Sequence, residues 1–502
     1  MPEVPLVPRV PTVRRLPQVF GGLAAALGIA AAIYYATLGL TLSHYDAKAH
    51  LVVSRRILDS LTPGWEQVGA VWLPLPHLVN MLPVQSDFLY RTGLFAIALS
   101  IASHALAAGS IAAIVLALTA SRAGAVLAAA LYTLNPNVLY LQSTPMTEPM
   151  LFGLTTLQVY LFTRWVMAGR PEVHRSVGLI TVLACLTRYE AWPITAACFA
   201  FSAFAWWRRG QSARHLLPVY AGLASYPLLT VLGFIVFSRI TVGDWFVSGG
   251  FFVPDETLQG HPGAVLSKMA EGTAMLGGTW LMRFTFMALP LVLLAGLSSA
   301  GRAPLLIGLS LFAAAALPLS AYLAGHPFRL RYEMAIVIAG AVAIGIAVGL
   351  FRRIAPAVAA IPLALVVYDA PPFDRDAPMV REAQLDRNVH ARETVTTCLR
   401  QRYRGGAVMA SMGALGHYMH EMSNAGFAIR DFLHEGNGAL WDSAFTRGPA
   451  ALVEWVLVEE VAEGGDAVIQ RHRQIPRLLE DYEPICSGGN VTLYRRSAQA
   501  VR

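Results

Sequence analysis

The chain has 502 residues, of which 55% are hydrophobic and only 14% are charged, against roughly 25% charged residues in soluble domains. Many apolar runs are long enough to cross a bilayer, which takes about 20 residues each, and too continuous for the alternating strands of a membrane barrel. The net charge of +7 comes from arginines scattered between these runs, which excludes a nucleic-acid-binding patch. The composition therefore predicts an all-α polytopic membrane bundle.

The apolar runs predict about eleven transmembrane helices within residues 1–370. The first run, 19–42, is too long for the apolar part of a signal peptide and is expected to be retained. Loops expected on one side are rich in arginine and poor in acids, which by the positive-inside rule predicts a cytoplasmic N-terminus and an external C-terminal tail. These arginines are Arg9, Arg14, Arg15, Arg122, Arg164, Arg170, Arg175, Arg208, Arg209, Arg214, Arg302, Arg352 and Arg353. The excess of arginine over lysine favours a bacterial inner membrane.

The first outer loop, 43–91, holds the earliest candidate functional group. Asp46 follows the first helix directly, and it is either a general base or the N-cap of the next helix. That next helix is expected to be amphipathic and to lie at the membrane interface, because apolar residues recur at helical spacing. Its apolar residues are Leu51, Ile57, Leu58 and Leu61, and the accessory polar candidates of the loop are Lys48, His50, Arg55 and His77.

Three later polar segments are expected on the same outer side. Thr147-Glu148-Pro149 starts the fourth helix, where a glutamate could also simply complement the helix dipole. Arg188 and Glu190 interrupt two apolar runs, at a depth where charges are costly unless paired or functional. The segment 326–333 holds His326, Arg329, Arg331 and Tyr332, and its arginines either hold an anion or snorkel to head groups.

Two further regions carry open alternatives. The loop 239–280 contains Trp245, Phe246, Phe251 and Phe252, and it is predicted to be either a mobile lid or part of an aromatic belt. The tail, 371–502, has short alternating runs and helical stretches such as 387–402, which predict a small soluble α/β domain. Its only cysteines, Cys398 and Cys486, form either a disulfide or two free buried thiols.

Carboxylates and arginines on one membrane face predict a site that takes a proton from an acceptor and stabilises a phosphate leaving group. An acid after helix one, the Thr147-Glu148-Pro149 and Arg188-Tyr189-Glu190 motifs and a late Arg331-Tyr332 resemble the C-type glycosyltransferases. The resemblance is to the family-39-like group of dolichyl-phosphate-mannose protein mannosyltransferases and lipid A aminoarabinose transferases. The stretch 69–78 resembles bacterial members of this group.

The resemblance implies a polyprenyl-phosphate sugar donor, with a lipid, glycan or protein as the acceptor. It implies Asp46 as the base of an inverting transfer, Glu148 as an orienting acid, and Arg188 and Arg331, with Arg329 or His326, as holders of the lipid phosphate. Ala47 follows Asp46 where the protein mannosyltransferases have an Asp-Glu pair, which puts a protein acceptor in doubt. Some members need a divalent metal; the sequence shows no dedicated metal cage and does not exclude an ion.

Two other classes of function are compatible with parts of the pattern. A transporter or flippase of a lipid-linked or anionic solute would place its ionisable groups near the bilayer midplane, between inverted repeats. Here the acids lie at the expected helix ends, and the sequence has no convincing internal repeat. A non-catalytic assembly protein would act through its outer domain and would leave Asp46 and Glu148 unexplained.

Overall fold

The computed structural model describes residues 15–247, 254–386, 389–460 and 465–497, without the side chains of 389–391, 413–415 and 417. Expectations for Arg9, Arg14, Phe251, Phe252 and Arg387 therefore concern positions outside the described residues. Everything below refers to the described ranges.

The described residues up to Asp369 form a bundle of helices with short helical connections. Its α-helices are α1 (Leu16–Thr37), α2 (Tyr45–Arg56), α3 (Leu75–Asn80), α4 (Asp87–Thr92), α5 (Leu94–Thr119), α6 (Arg122–Thr133), α7 (Pro136–Leu141), α8 (Glu148–Met167), α9 (Arg175–Cys185), α10 (Ala191–Arg208), α11 (Ala213–Thr241), α12 (Pro262–Gly277), α13 (Thr279–Ser298), α14 (Ala316–Leu323), α15 (Met334–Gly349) and α16 (Ala355–Asp369). Short 3₁₀ segments, including Ala303–Ala315 and Leu330–Glu333, precede α14 and α15.

Within the described ranges, six helical segments are long and apolar enough to cross a membrane: α1, α5, α11, α13, 303–323 and 330–349. The chain is therefore a multi-pass membrane protein, while the predicted count of about eleven spans is not confirmed. One predicted span, the third, is broken into α6 and α7. Asn135 caps α7 by accepting hydrogen bonds from two backbone N–H groups, and Pro136 takes the first helical position, where its missing N–H costs nothing.

The predicted loop 239–280 is wrong in its second half, because α12 occupies Pro262–Gly277. Its buried residues Val265, Met269 and Leu276 pack inward, so tertiary burial stabilises a helix that several glycines would weaken. Trp245 and Phe246 are exposed, and the ring of Phe246 lies against Tyr189 and Trp192.

The helices α6 and α15 cross in close backbone contact. A Cβ atom added to Gly124 would collide with the carbonyl of Gly345, and one added to Gly345 would collide with Ala128. Small residues allow such an approach in membrane bundles, where packing rather than water exclusion holds helices together. In the most apolar stretch of the segment 330–349, 89% of the residues are buried, so α15 forms the centre of the bundle.

The tail forms a five-stranded mixed sheet with helices around it. The elements are α17 (Pro378–Leu385), α18 (Val389–Arg402), β1 (Val408–Ala410), α19 (Met412–Met422), β2 (Phe432–Leu433), α20 (Ala439–Arg447), β3 (Trp455–Glu459), α21 (Ala467–Gln474), β4 (Tyr482–Gly488) and β5 (Val491–Arg496). The strand order is β2-β1-β3-β5-β4; β1 runs parallel to β2 and β3, and β5 runs antiparallel to β3 and β4. Cys398 and Cys486 form a disulfide between α18 and β4.

The first outer loop is wedged between the bundle and the tail. Helix α2 forms as predicted, but it does not lie as an amphipathic helix at an interface, because ten of its twelve residues are buried. Leu51 and Val52 share one apolar cluster with Tyr418 and Met419 of α19. Leu51 and Ile57 of the predicted apolar stripe are buried, whereas Leu58 and Leu61 lie beyond the helix end and are exposed. Helix α2 is a structural link between the two parts of the chain.

Candidate functional site

The N-terminal turn of α2 presents a buried carboxylate. His44 caps the helix, its ring Nδ1 accepting the Asp46 backbone N–H at 3.1 Å. Asp46 is therefore not the cap, and its side chain points away into an ion pair with Arg331. Because Arg331 follows Asp46 by 285 positions, this pair joins the first outer loop to the segment before α15.

Arg188 lies in the turn between α9 and α10, and two further carboxylates surround it. The Arg188 Nη1 donates to Glu148 Oε1 at 3.0 Å and to Thr147 Oγ1 at 2.9 Å. Its Nε and Nη2 both donate to Glu190, at 3.1 and 2.8 Å. Thr147 and Glu148 form the start of α8, so one guanidinium fixes three side chains from two parts of the bundle.

Arg331 connects these groups into one cluster. Its Nε lies 3.6 Å from Glu148 Oε1 while its Nη1 contacts Asp46. The ring of Tyr332 lies next to both guanidiniums, 5.9 Å from Arg188 and 5.8 Å from Arg331, distances at which a cation is attracted to an aromatic face. We call Asp46, Glu148, Arg188, Glu190 and Arg331 the carboxylate–arginine cluster.

The cluster is almost closed to solvent yet retains unused hydrogen-bonding atoms. Asp46, Glu148 and Glu190 are 8%, 1% and 3% exposed. Within the part of the chain that the structure describes, Glu148 Oε2 and Arg331 Nε are buried without a hydrogen-bond partner. Native proteins rarely leave such atoms unsatisfied, and each one calls for an explanation such as a catalytic role or a bound ligand. The arrangement can therefore accept one more donor and one more acceptor from a ligand.

Electrostatics keep Asp46 ionised. Burial alone would raise its pKa, but Arg331 and His44 outweigh burial and hold the pKa of the carboxyl below its usual range. Because a nearby cation makes a carboxylate a weaker proton acceptor, the position of Arg331 controls the basicity of Asp46.

Two histidines of the first outer loop lie beside this cluster. His50, one turn after Asp46 on α2, has its Nδ1 3.1 Å from His77 Nε2, and its ring packs on Trp72 at 4.2 Å between centroids. Burial is the largest cause that lowers the pKa of both rings, to about 3 for His77. Both imidazoles are therefore neutral at physiological pH.

The side chains of the other candidates in this loop have partners outside the cluster. Lys48 Nζ lies 2.6 Å from Glu421 Oε1, at the contact with α19. Arg55 pairs with Asp59 at 2.9 Å and with Asp87 at 2.7 Å. Neither of these pairings belongs to the carboxylate–arginine cluster, so Lys48 and Arg55, accessory candidates from the sequence, lie outside it.

The last two candidates lie in the connection before α15. The ring centroids of His326 and Tyr332 are 5.7 Å apart, and the backbone of Arg329 exchanges hydrogen bonds with the Tyr322 hydroxyl.

The described residues contain no group of three or more His, Cys, Asp or Glu side chains placed to hold a metal ion.

Three residues near the cluster were not predicted from the sequence. His44 and Thr147 lie just before Asp46 and Glu148, in segments that already contained candidate residues. Their positions as helix N-caps could have identified them from the sequence. Glu382 of α17 lies 3.5 Å from His44 Nε2. Burial raises its pKa, while His44 and Arg331 act in the opposite direction and prevail. Nothing in its local sequence signals this long-range contact.

The sequence matches no protein-family model and no curated protein. The structure matches the crystal structure of ArnT from Cupriavidus metallidurans bound to undecaprenyl phosphate, with a TM-score of 0.57. The match covers 96% of this chain and 98% of that chain at 11% sequence identity, a level at which the likeness concerns the fold alone. The chain therefore shares the fold of this ArnT structure.

Proposed function

We propose that the protein is a membrane glycosyltransferase that moves a sugar from a polyprenyl-phosphate donor to a hydroxyl acceptor. The observation that carries the proposal is the carboxylate–arginine cluster, in which Arg331 lies between Asp46 and Glu148. Acids and guanidiniums that share a buried site are the groups needed to take up a proton and to neutralise a departing phosphate.

The position of the cluster favours a transferase over a transporter. Asp46 is in the first turn of α2, Glu148 is the first residue of α8, and Arg331 immediately precedes α15. These groups lie at helix ends, whereas transporters bind their substrates near the bilayer midplane. A lipid-linked sugar has its phosphate at head-group level, which is the depth of helix ends.

In the proposed reaction, the acceptor hydroxyl attacks the anomeric carbon of the sugar and gives its proton to the Asp46 carboxylate. The bond from the anomeric carbon to the phosphate oxygen breaks in the same step, and its electrons leave with the polyprenyl phosphate. One displacement inverts the anomeric configuration. Arg188 and Arg331 stabilise the added negative charge on the phosphate, because a guanidinium offers two parallel donors to two phosphate oxygens.

Arg331 has a second consequence for the base. As long as it pairs with Asp46, the carboxylate is a weak proton acceptor. When a donor phosphate draws the guanidinium towards itself, the pKa of Asp46 rises and the carboxylate becomes a better base. Through this coupling, proton uptake depends on a bound donor. The donor phosphate also accepts a hydrogen bond from Arg331 Nε, which has no hydrogen-bond partner among the described residues.

The donor class is supported by two independent considerations. The matched structure of ArnT binds undecaprenyl phosphate. In this chain the charged cluster lies beside helices long enough to span a membrane, so an amphipathic donor can present its phosphate while its tail stays in lipid. We place the protein in a bacterial inner membrane, with the N-terminus in the cytoplasm and the cluster and tail outside, on the arginine bias of the opposite loops.

The proposal is tested with purified protein in liposomes and a panel of undecaprenyl-phosphate sugars. Release of undecaprenyl phosphate is measured for wild type, Asp46→Asn and Glu148→Gln, with Asp87→Asn as the control. Asp87 is a carboxylate of the same loop that pairs with Arg55 outside the cluster.

We expect release by wild type and by Asp87→Asn, and its loss in the two cluster variants. The product is expected to have the anomeric configuration opposite to that of the donor. Equal release by all four proteins, or retention of configuration, would exclude Asp46 as the base of a single displacement.

A further inference from the structure

A polar cavity, separate from the carboxylate–arginine cluster, lies on the side of α2 that faces the tail. It has a volume of about 360 Å³, within the ~300–1,000 Å³ typical of small-molecule sites. Its wall includes Gly39 and Leu42, which follow the end of the candidate membrane helix α1, together with parts of α4, α18 and α19. The cavity therefore opens near the depth at which lipid head groups lie.

The charges around this cavity are unbalanced. Its lining includes four cationic side chains but only two carboxylates; these are Lys48, Arg91, Arg392, Arg400, Glu393 and Glu421. Glu421 is shared, accepting from Lys48 at 2.6 Å and from Arg392 at 2.9 Å. Arg400 is exposed, and within the described ranges no carboxylate lies at ion-pair distance from it. Arg91 is already paired at 3.3 Å with Asp87, which does not line the cavity, so the spare positive charge for an anion comes from Arg400 and from the sharing of Glu421 between Lys48 and Arg392.

His420 supplies the cavity with an unused acceptor. Its Nε2 must carry a proton, because it lies 2.9 Å from the Tyr90 carbonyl oxygen, which can only accept. Burial is the main cause that lowers the pKa of the ring to about 4, so the imidazole is neutral and Nδ1 has a free lone pair. This Nδ1 is buried, and among the described residues it has no hydrogen-bond partner. A ligand hydroxyl would satisfy it.

We propose that this cavity binds a phosphate group that has a hydroxyl close by. The arginines and Lys48 hold the phosphate, since guanidinium groups match phosphate oxygens in charge and geometry. The His420 Nδ1 accepts a hydrogen bond from the neighbouring hydroxyl. The site is separate from the carboxylate–arginine cluster, because Asp46 and Lys48 point to opposite sides of α2, and the proposal does not depend on the transferase function.

Two sources share this chemistry: the head group of an anionic phospholipid such as phosphatidylglycerol, and soluble glycerol phosphate. The position next to α1 favours the lipid. Binding is measured by native mass spectrometry of the full chain in phosphatidylcholine nanodiscs containing traces of phosphatidylglycerol, and separately with soluble glycerol 3-phosphate and inorganic phosphate.

The test compares wild type with Arg400→Gln and with Arg402→Gln. Arg402 is an exposed arginine of the same helix that does not line the cavity, so its replacement makes the same change of charge. Arg400→Gln is expected to weaken phosphatidylglycerol binding about tenfold, the effect of one lost charged hydrogen bond, while Arg402→Gln binds as wild type. Equal binding by all three proteins, for every probe, would overturn the site.

A second comparison tests the hydroxyl. Phosphatidylmethanol carries the same charge as phosphatidylglycerol without a head-group hydroxyl, and it is expected to bind several-fold more weakly to wild type. Equal affinity would contradict the role of His420. Soluble glycerol 3-phosphate that competes as well as the lipid would assign the site to a soluble phosphate, whereas its failure to compete would assign it to the lipid head group.

Discussion

The two ends of helix α2 use charge in different ways. At the N-terminal end, Asp46 pairs with Arg331, 285 positions away, and Arg331 also approaches Glu148. At the C-terminal end, Arg55 pairs with Asp59 one turn further on and with Asp87 in the same loop. The first set brings together distant parts of the bundle and retains unused donors and acceptors. The second holds the loop in shape and, through Asp59, also contacts Ile429 and Arg430 of the tail.

The comparison shows that the number of charges in a motif does not identify a site. Asp46 and Arg55 are both charged, both lie in the same short helix and are both candidates from the sequence. What separates them is the origin of the partner: Asp46 pairs with Arg331 from a distant segment, whereas both carboxylates that pair with Arg55 lie in its own loop. If this distinction is correct, mutations at the two ends should affect different properties.

The largest effect is expected for Asp46→Asn. Loss of the proton acceptor should lower turnover by about 10²–10⁴-fold, with the protein still folded and monodisperse, since asparagine has the same shape. Initial rates of undecaprenyl phosphate release at saturating donor provide the measurement, and size-exclusion chromatography checks the fold. Turnover like that of wild type would remove Asp46 from the chemistry.

The next largest effect is expected for Arg188→Lys. Lysine retains the charge but cannot reproduce the planar contacts to Glu190, Thr147 and Glu148. We expect KM for the donor to rise roughly 10–100-fold. Arg430→Lys is the control, since this exposed arginine lies near Asp59 at the other end of α2. Equal KM values for the two variants would contradict a role of Arg188 in donor binding.

Arg331→Gln should change the pH dependence of the reaction. Burial raises the pKa of Asp46, and Arg331 is the strongest of the groups that lower it, so without Arg331 the pKa rises. The rate of the variant should fall on the acidic side at a pH where the wild-type rate is still constant. The pair stabilises the fold above the ordinary Asp pKa of about 4, and this contribution is lost as pH falls through the lower folded-state pKa. Parallel pH–rate profiles would refute this coupling.

Removal of the disulfide should act on stability alone. Cys398 and Cys486 are separated by 88 positions, and replacing both with serine should lower the free energy of unfolding by about 2–5 kcal/mol. Thermal unfolding with and without reductant measures the effect. Reductant should lower the melting temperature of wild type and leave that of the double variant unchanged; a reductant effect on both would point to another cause.

The smallest effect is expected for Arg55→Gln. The pair with Asp87 is open to solvent but the pair with Asp59 is buried, so their loss should cost about 1–3 kcal/mol of stability and leave turnover at the wild-type level. Chemical denaturation and the release assay are run on the same sample. Lost turnover with unchanged stability would mean that the two ends of α2 do not differ as described.

Much of the bundle was predictable because apolar length is a local property. The run 19–42 corresponds to α1, Leu16–Thr37, and the Thr147-Glu148-Pro149 motif marked the start of α8. The helix α12 was missed because its glycines and polar flanks resemble a loop, and only its contacts with the rest of the bundle stabilise it. The sidedness of the loops and the boundary at residue 371 stay predictions.

The site was predictable in its members more than in its connections. The sequence indicated Asp46, Glu148, Arg188, Glu190 and Arg331, because charges beside apolar runs are costly and therefore conspicuous. It did not indicate that Arg331 bridges two acids. It also could not show that Lys48 turns to Glu421, since that partner lies 373 positions away and its location depends on how the tail docks.

The most direct test of a shared catalytic site is a double-mutant cycle of Asp46→Asn and Glu148→Gln, read out by undecaprenyl phosphate release. Residues that act in one unit are not additive, so we predict that the double variant is barely slower than the slower single variant. If the two losses multiplied instead, Asp46 and Glu148 would act independently, and the carboxylate–arginine cluster would not be one site.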